Sequence, residues 1–200
     1  MKRYVITRIS GLPDWDSIPS LEVAYFNWEP ETDIQMQAQL GYDPDGLYIH
    51  LRTWEKNIRA QYTHPLSSVC EDSCMEFFFC PVQGDMRYFN VEINPNGCTY
   101  IGFGEASPRP VRLVLEDEDV LLKKQVQRTR DGWEVFYSIP VSLIREFYPG
   151  YRLESGMKFR ANCYKCGDKT AVPHFISWNP MTSPTPCFHR PEDFGEMELA

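Results

Sequence analysis

The chain has 200 residues, of which 42% are hydrophobic and 14% aromatic, with sixteen prolines and twelve glycines. This length is typical of one domain with a sizeable core, and we treat residues 1–200 as a single domain. The formal net charge of −8 argues against nucleic acid and against an anionic membrane surface as partners, since both attract a basic face.

Signals for export or membrane insertion are weak. No apolar run approaches the roughly 18–20 residues of a membrane span, and the start MKRYVITRISGLPDW lacks the apolar core of a signal peptide. We therefore expect a cytoplasmic protein, or an extracellular one if a leader was removed. The odd number of cysteines, seven, favours free thiols over a disulfide framework.

The first third of the chain predicts a hairpin followed by a long loop. Trp15, in a turn-rich segment, is expected to fill part of the core. Residues 34–42 and 47–54 alternate apolar and polar side chains around a turn at 43–46, which is typical of paired strands. Residues 56–73 then form an irregular excursion, and loops of this length are usually functional or mobile.

Residues 70–104 are the most informative stretch and predict three consecutive antiparallel strands. Segments 74–80 (CMEFFFC) and 87–94 (RYFNVEIN) are rich in aromatic and β-branched residues. The Asn-Gly pair at 96–97 is typical of a hairpin turn, after which residues 100–103 return along the sheet.

Polar side chains lie within these strands. Alternation places Asn90, Glu92 and Asn94 on one face, with Asn94 expected in solvent, while the apolar residues between them face the core. Glu76 is expected either on the solvent face or buried with a partner such as Arg160, because an unpaired buried carboxylate costs several kcal/mol. A face rich in carboxylates and amides is typical of a surface that binds sugars or cations.

The remaining segments complete an all-β pattern. We predict a hairpin over residues 121–139, a short helix at 140–147, strands at 157–164 and 175–178, and a final edge strand at 195–199. The expected fold is an immunoglobulin-like or jelly-roll antiparallel β-sandwich of about nine to eleven strands with one short helix.

Eight landmarks follow one another in a recognisable order, with residues 41–49 and residues 133–140 each counted as one. They are Gly11…Trp15, Gly41-Tyr42-Asp43, Leu47-Tyr48-Ile49, Glu71 to Phe78 (EDSCMEFF), Tyr88 to Glu92 (YFNVE), Trp133-Glu134, Ile139-Pro140, Arg160-Ala161-Asn162, Ser177 to Pro180 (SWNP) and Pro191 to Gly195 (PEDFG). This order, which spans nearly the whole chain, resembles the family 9 carbohydrate-binding modules and their superfamily of sugar- or haem-binding sandwiches. The resemblance implies a β-sandwich that binds carbohydrate without changing it.

The resemblance also implies a site. In the family, two tryptophans clamp the end of a glycan chain while polar strand residues bond its terminal sugar. When these positions are carried over to this sequence, the carboxylate falls at Glu76 and the polar residue of the next strand falls at Asn90. The amide of the late strand falls at Asn162, and the C-terminal clamp falls at Phe188. The other clamp falls at Cys70, whose side chain cannot stack on a sugar. The candidates to replace it are Trp54, Tyr62 and His64.

Two further residues join the expected site. Trp178 adjoins the loop of Phe188 and could extend its apolar platform, because sugars pack their C–H faces on aromatic rings. Arg160 shares a strand face with Asn162 and suits contacts to hydroxyls. For both residues, and for Glu76, a purely structural role stays open. The predicted ligand-binding set is Glu76, Asn90, Arg160, Asn162, Trp178 and Phe188, and the predicted partner is the end of an oligosaccharide or polysaccharide, of the xylan or cellulose type.

Metal signals are weaker. Cys163-x-x-Cys166 has no second pair at the spacing of a zinc ribbon, so the sequence argues against zinc. Structural calcium, which the resemblance implies, would need oxygen ligands, although aspartates in turns are usually turn formers. Candidate calcium ligands are residues such as Asp43, Asp45, Glu71 and Asp72, and the sequence assigns no ligand set.

Two alternatives to a sugar-binding module stay open. Glu76 and Glu92 could be neighbours on paired strands, and two carboxylates about 5–10 Å apart are what glycoside hydrolysis requires. The third interpretation is an interaction sandwich whose sugar site has decayed, as Cys70 at a clamp position suggests; it predicts an exposed apolar patch elsewhere.

Overall fold

The structure, a computed structural model, describes residues 1–64, 67–107 and 109–200. The long loop predicted at 56–73 is therefore described except at 65 and 66, which lie outside the described residues. The strands are β1 (Arg3–Arg8), β2 (Leu21–Val23), β3 (Tyr25–Phe26), β4 (Gln35–Asp43), β5 (Gly46–Trp54), β6 (Cys74–Cys80), β7 (Tyr88–Ile93), β8 (Thr99–Gly104), β9 (Val111–Arg112), β10 (Gln125–Thr129), β11 (Gly132–Pro140), β12 (Lys158–Cys166), β13 (Phe175–Ser177) and β14 (Gly195–Leu199). The helices are α1 (Glu118–Leu122) and α2 (Val141–Arg145).

The strands form two layers that share one strand. The first sheet contains β2, β4, β5, β10 and β11, and the second contains β3, β6 to β9 and β12 to β14. β1 belongs to both sheets, because residues 3–6 pair with β14 and Thr7 and Arg8 pair with β4. Both pairings of β1 are parallel, whereas the other pairings among the described residues are antiparallel. The predicted all-β sandwich is confirmed.

The core lies between the two sheets. Leu40 and Trp133 enter it from the first sheet, and Phe77 and Phe89 enter it from the second. The predicted run of three antiparallel strands is confirmed as β6, β7 and β8, with the alternate residues of β7 facing the core as expected. Both predicted hairpins are also confirmed, as β4–β5 and β10–β11.

Three expectations about the elements were wrong. β14 lies inside the sheet, between β1 and β12, because the N-terminal strand pairs with the edge that β14 would otherwise expose. A second helix, α1, forms in the acidic segment, where the Asp117 carboxylate accepts a 3.1 Å hydrogen bond from the backbone amide of Val120. Trp15 is half-buried against His50 and Phe136 on the first sheet and lies outside the core.

The outer face of the second sheet is also buried. Every residue of β6 and of β7 is buried, so both strands are covered on two faces. A second apolar cluster lies on this outer face beneath the loops, built around Phe78, Tyr88, Tyr164, Phe188 and Phe194. The polar positions of these strands therefore face a covered cleft, which explains why an expectation of solvent exposure fails for Asn94.

No helix in the part of the chain that the structure describes is long and apolar enough to cross a bilayer.

Gly195 allows the Trp178 ring to lie against the backbone of β14. A β-carbon at Gly195 would lie 2.4 Å from Cζ3 of Trp178 and 3.1 Å from the carbonyl oxygen of Lys2. We expect Gly195→Ala to lower the free energy of unfolding by about 1–3 kcal/mol through overpacking, measured by urea denaturation. Ser155→Ala, at an exposed position, serves as the control. Equal stability of both variants would contradict this packing.

Candidate functional site

A small cavity opens on the outer face of the second sheet. Its volume is about 160 Å³, and its floor is formed by β6, β7 and β12 while loops form its rim. We call it the outer-face cavity. Its lining residues are Trp28, Cys70, Glu76, Phe78, Glu92, Arg109, Cys166, Asp168, Phe175, Pro186, Cys187, Phe188 and His189.

Two buried carboxyl groups form the polar part of the floor. Glu76 on β6 and Glu92 on β7 are direct cross-strand partners, and their exposed fractions are only 2% and 7%. Cys166 Sγ donates to Oε1 of Glu76 over 2.9 Å, and Asn90 Nδ2 donates to Oε1 of Glu92 over 2.9 Å. The partner of Glu76 is thus Cys166 rather than the expected Arg160.

Burial controls the protonation of this pair. Desolvation raises the pKa of Glu76 well above its ordinary value, and the neighbouring Glu92 raises it further. Desolvation also raises the pKa of Glu92, although the hydrogen bond from Asn90 and the charge of Arg112 oppose this shift. A pair of this kind presents both a hydrogen-bond donor and acceptors to a ligand, which is the requirement of a sugar hydroxyl.

Aromatic rings form the opposite part of the cavity wall. The Trp28 ring lies 5.5 Å from the Phe188 ring and 5.7 Å from the Phe175 ring, measured between centroids. Phe188 stacks on Tyr164 of β12 with a centroid distance of 4.1 Å and an interplanar angle of 14°. The sheet therefore supports Phe188, which in turn contacts Trp28, so the three wall residues hold fixed relative positions.

Trp28 has an unusual backbone conformation. Its φ of 63° is in the left-handed region, which a bulky side chain rarely occupies and which costs on the order of 1 kcal/mol. Two contacts hold it: Nε1 of Trp28 donates to the carbonyl of Ser183 over 2.7 Å, and the preceding Asn27 donates through Nδ2 to the carbonyl of Phe175 over 3.2 Å. This strain, located on the cavity wall, is typical of a functional position.

Neutral and charged side chains complete the rim. His189 lies 2.7 Å through Nδ1 from the Tyr88 hydroxyl, and burial together with nearby Arg109 lowers the pKa of His189 to about 4. The imidazole is therefore uncharged at neutral pH. Arg109 and Asp168 are exposed at the mouth of the cavity, where they add one charge of each sign.

Hydrogen bonds from β12 hold the C-terminal loop that carries Phe188. Asn162 donates through Nδ2 to the carbonyl of Asn179 over 3.0 Å and accepts at Oδ1 from the amide of Asn179 over 2.9 Å. Arg160 donates through Nη2 to the carbonyls of Glu192 and Phe194, each over 2.8 Å. Both side chains therefore hold in place the C-terminal loop, which carries Phe188 of the cavity wall.

A buried carboxylate holds the opposite loop in the same way. Asp72 is fully buried and forms an ion pair with Arg59. It also accepts hydrogen bonds from the backbone amide of Tyr62 over 3.0 Å and from Nδ2 of Asn94 over 2.9 Å. These bonds fix the loop before β6, and with it Cys70, against the end of β7.

The six predicted ligand residues thus have different positions. Glu76 and Phe188 line the outer-face cavity, and Asn90 bonds the lining residue Glu92. Arg160 and Asn162 hold the C-terminal loop, and Trp178 is buried in the core between the sheets. Contact between these six residues and a ligand stays a prediction.

Trp28 is not among the residues predicted for the site, for which three other aromatic residues are the candidates to replace the clamp at Cys70. Tyr62 bonds Glu71, His64 is exposed in the loop, and Trp54 lines a groove on the first sheet. Trp28 stands in the loop Asn-Trp-Glu-Pro, and only the pairing of β3 with β13 brings that loop beside Phe175. The sequence signal for Trp28 is its position in a loop directly before a Glu-Pro pair.

Three of the four candidate calcium ligands, Asp43, Glu71 and Asp72, are engaged by other protein groups. Asp43 accepts hydrogen bonds from the backbone amide of Asp45 over 2.8 Å and from the Tyr48 hydroxyl over 2.9 Å, as a turn former does. Glu71 bonds Tyr62 and pairs with Lys169, and Asp72 is saturated as described above. Calcium requires six to eight oxygen ligands, which these separately bonded carboxylates do not present.

The raised pKa values of Glu76 and Glu92 predict a pH dependence of stability. The pKa of each carboxyl group is higher in the folded protein than its value near 4.5 in the unfolded chain. Such a group contributes its full stabilisation below pH 4.5, and this contribution is lost as the pH rises through the pKa of the folded protein. Above pH 4.5 the unfolding free energy of the wild type should fall by at most about 1.4 kcal/mol per pH unit for each proton involved. We expect this fall to be smaller in Glu92→Gln. Urea denaturation across pH 4–8 measures this.

Glu31→Gln, at an exposed position, should leave the wild-type slope unchanged. If the wild type and Glu92→Gln show the same slope, the raised pKa of Glu92 is contradicted.

Comparisons with known proteins agree with this fold. The model of carbohydrate-binding family 9 matches residues 10–199. A crystal structure of a candidate carbohydrate-binding protein from Bacteroides uniformis is 26% identical, with a TM-score of 0.86 over 100% of this chain and 99% of that one. No curated protein sequence matches this chain significantly.

Two structures of a family 9 module from Caldicellulosiruptor kristjanssonii share the fold at 13% identity. The complex with glucose has a TM-score of 0.72 and covers 100% of this chain and 96% of that one. The complex with cellotriose has a TM-score of 0.71 and covers 99% and 93%. Since the family model covers nearly all of the sequence, this chain belongs to carbohydrate-binding family 9.

Proposed function

We propose that the outer-face cavity binds the terminal residue of a carbohydrate chain without cleaving it. One observation carries the proposal: the cavity combines the aromatic wall of Trp28, Phe175 and Phe188 with the buried carboxyl groups of Glu76 and Glu92. A sugar ring presents C–H faces that pack on aromatic rings and hydroxyls that bond carboxyl groups. Membership of a carbohydrate-binding family supports the same ligand class.

The size of the cavity supports recognition of a chain end. Its volume of about 160 Å³ is below the roughly 300–1,000 Å³ of pockets that enclose drug-sized ligands. The cavity suits a single ring that enters between the wall and the floor, with the rest of the chain in solvent. The family 9 module that binds glucose and cellotriose supports glucose-containing oligosaccharides as the first ligands to test.

The arrangement of the carboxyl groups supports binding rather than hydrolysis. A glycosidase places its acid and its base or nucleophile on either side of the scissile bond. Glu76 and Glu92 instead lie side by side on neighbouring strands of one floor, and both are bonded to protein groups, Cys166 and Asn90. In this proposal they orient hydroxyls and do not attack the sugar.

The aromatic wall gives the sharpest test. We expect isothermal titration calorimetry with cello- and xylo-oligosaccharides to show saturable binding that Phe188→Ala and Trp28→Ala each weaken at least about tenfold, or 1.4 kcal/mol, because the stacking surface is lost. Trp54→Ala is the matched control, since Trp54 is also half-buried but lines a groove of the first sheet. Manno- and galacto-oligosaccharides extend the panel.

Two outcomes would contradict the proposal. Folded wild-type protein that binds none of these sugars would favour an interaction sandwich with a decayed site. Turnover of an aryl glycoside that is lost in Glu76→Gln would favour a hydrolase.

A further inference from the structure

A group of sulfur and oxygen donors lies beneath the outer-face cavity. The register of β6 against β12 places Cys74 opposite Cys166 and Tyr164 opposite Glu76. As a result Sγ of Cys74, Sγ of Cys166 and a carboxylate oxygen of Glu76 all lie within 4.8 Å of one another. We call Cys74, Glu76 and Cys166 the donor triad.

The donor triad is buried, and Lys165, on the same strand as Cys166, is a charged neighbour. Its three residues have exposed fractions of 2% or less. Lys165 is also buried: its Nζ donates to the backbone carbonyl of Cys166 over 3.0 Å and lies 2.7 Å from Nε2 of His174 and 3.3 Å from Oε1 of Glu55. Burial raises the pKa of both thiols and of the carboxyl group, because it disfavours their charged forms.

We propose that the donor triad binds a thiophilic divalent cation, for which Zn²⁺ is the representative. Tetrahedral zinc with two sulfurs at about 2.3 Å and one oxygen at about 2.0–2.2 Å spaces its donors roughly 3.5–3.8 Å apart. The three donor atoms lie within 4.8 Å of one another, and metal binding requires side-chain rotations that separate Sγ of Cys166 from Oε1 of Glu76, which are now 2.9 Å apart. Calcium and magnesium are disfavoured, because two of the three donors are sulfur.

The fourth coordination position faces the outer-face cavity. Cys166 and Glu76 line the cavity, whereas Cys74 lies beneath it. The cavity therefore gives the ion an entry path and leaves one position for water, as in zinc sites that are not closed by a fourth side chain. Binding releases up to three protons, two from thiols and one from the carboxyl group, and none of these steps changes an oxidation state.

Cobalt(II) provides a direct probe. Reduced, metal-free protein is titrated with Co²⁺, and we expect one equivalent to produce thiolate-to-cobalt charge-transfer bands that Zn²⁺ abolishes by displacement. Cys74→Ala should weaken Co²⁺ binding at least hundredfold while leaving the cavity wall intact. X-ray absorption of the zinc-loaded wild type should show two sulfur neighbours at about 2.3 Å, which requires no variant.

Two cysteine variants serve as controls. Cys80→Ala removes a buried thiol of the same strand, and Cys187→Ala removes a thiol from the cavity wall, yet both leave the triad in place. Each should bind Co²⁺ like the wild type. Absence of charge-transfer bands, their persistence in Cys74→Ala, or only oxygen and nitrogen neighbours in the absorption spectrum would overturn the proposal. Sugar binding by Cys74→Ala is measured as well, so that failure of the metal site can be distinguished from failure of the sugar site.

Discussion

The burial of β6, β7 and residues 161–166 of β12 on both faces is the constraint on which the site depends. Their inner side chains, such as Phe77 and Phe89, fill the core between the sheets, and their outer side chains support a second apolar cluster under the loops. Polar residues on the outer face are therefore removed from bulk water. Glu76 and Glu92 owe their raised pKa values and their hydrogen-bonded positions to this cover.

The cover itself is held by polar residues that do not line the cavity. Asp72 anchors the loop before β6, while Asn162 and Arg160 anchor the loop that carries Phe188. Hydrogen bonds in a buried place have directional requirements, so they fix loop positions more specifically than apolar contact does. Two opposite parts of the cavity rim, the loop with Cys70 and the loop with Phe188, are thus held to the sheet.

The sequence predicted what depends on local pattern. Alternation along β7 identified the core face, and the turn residues identified the hairpins. What depends on distant strand pairing was not predicted: β1 beside β14 made an expected edge strand central, and β3 beside β13 brought Trp28 to the cavity. Cys74 and Cys166 are 92 positions apart in the sequence, and only the register of β6 against β12 places them side by side.

A crystal structure of the protein with cellotriose tests the central claim most directly. We predict density for the terminal glucose ring in the outer-face cavity, with one ring face against Trp28 and Phe188 and hydroxyls within hydrogen-bond distance of Glu76 and Glu92. Density for the sugar elsewhere, for example in the groove of the first sheet between Trp15 and Trp54, with an empty outer-face cavity would contradict the account.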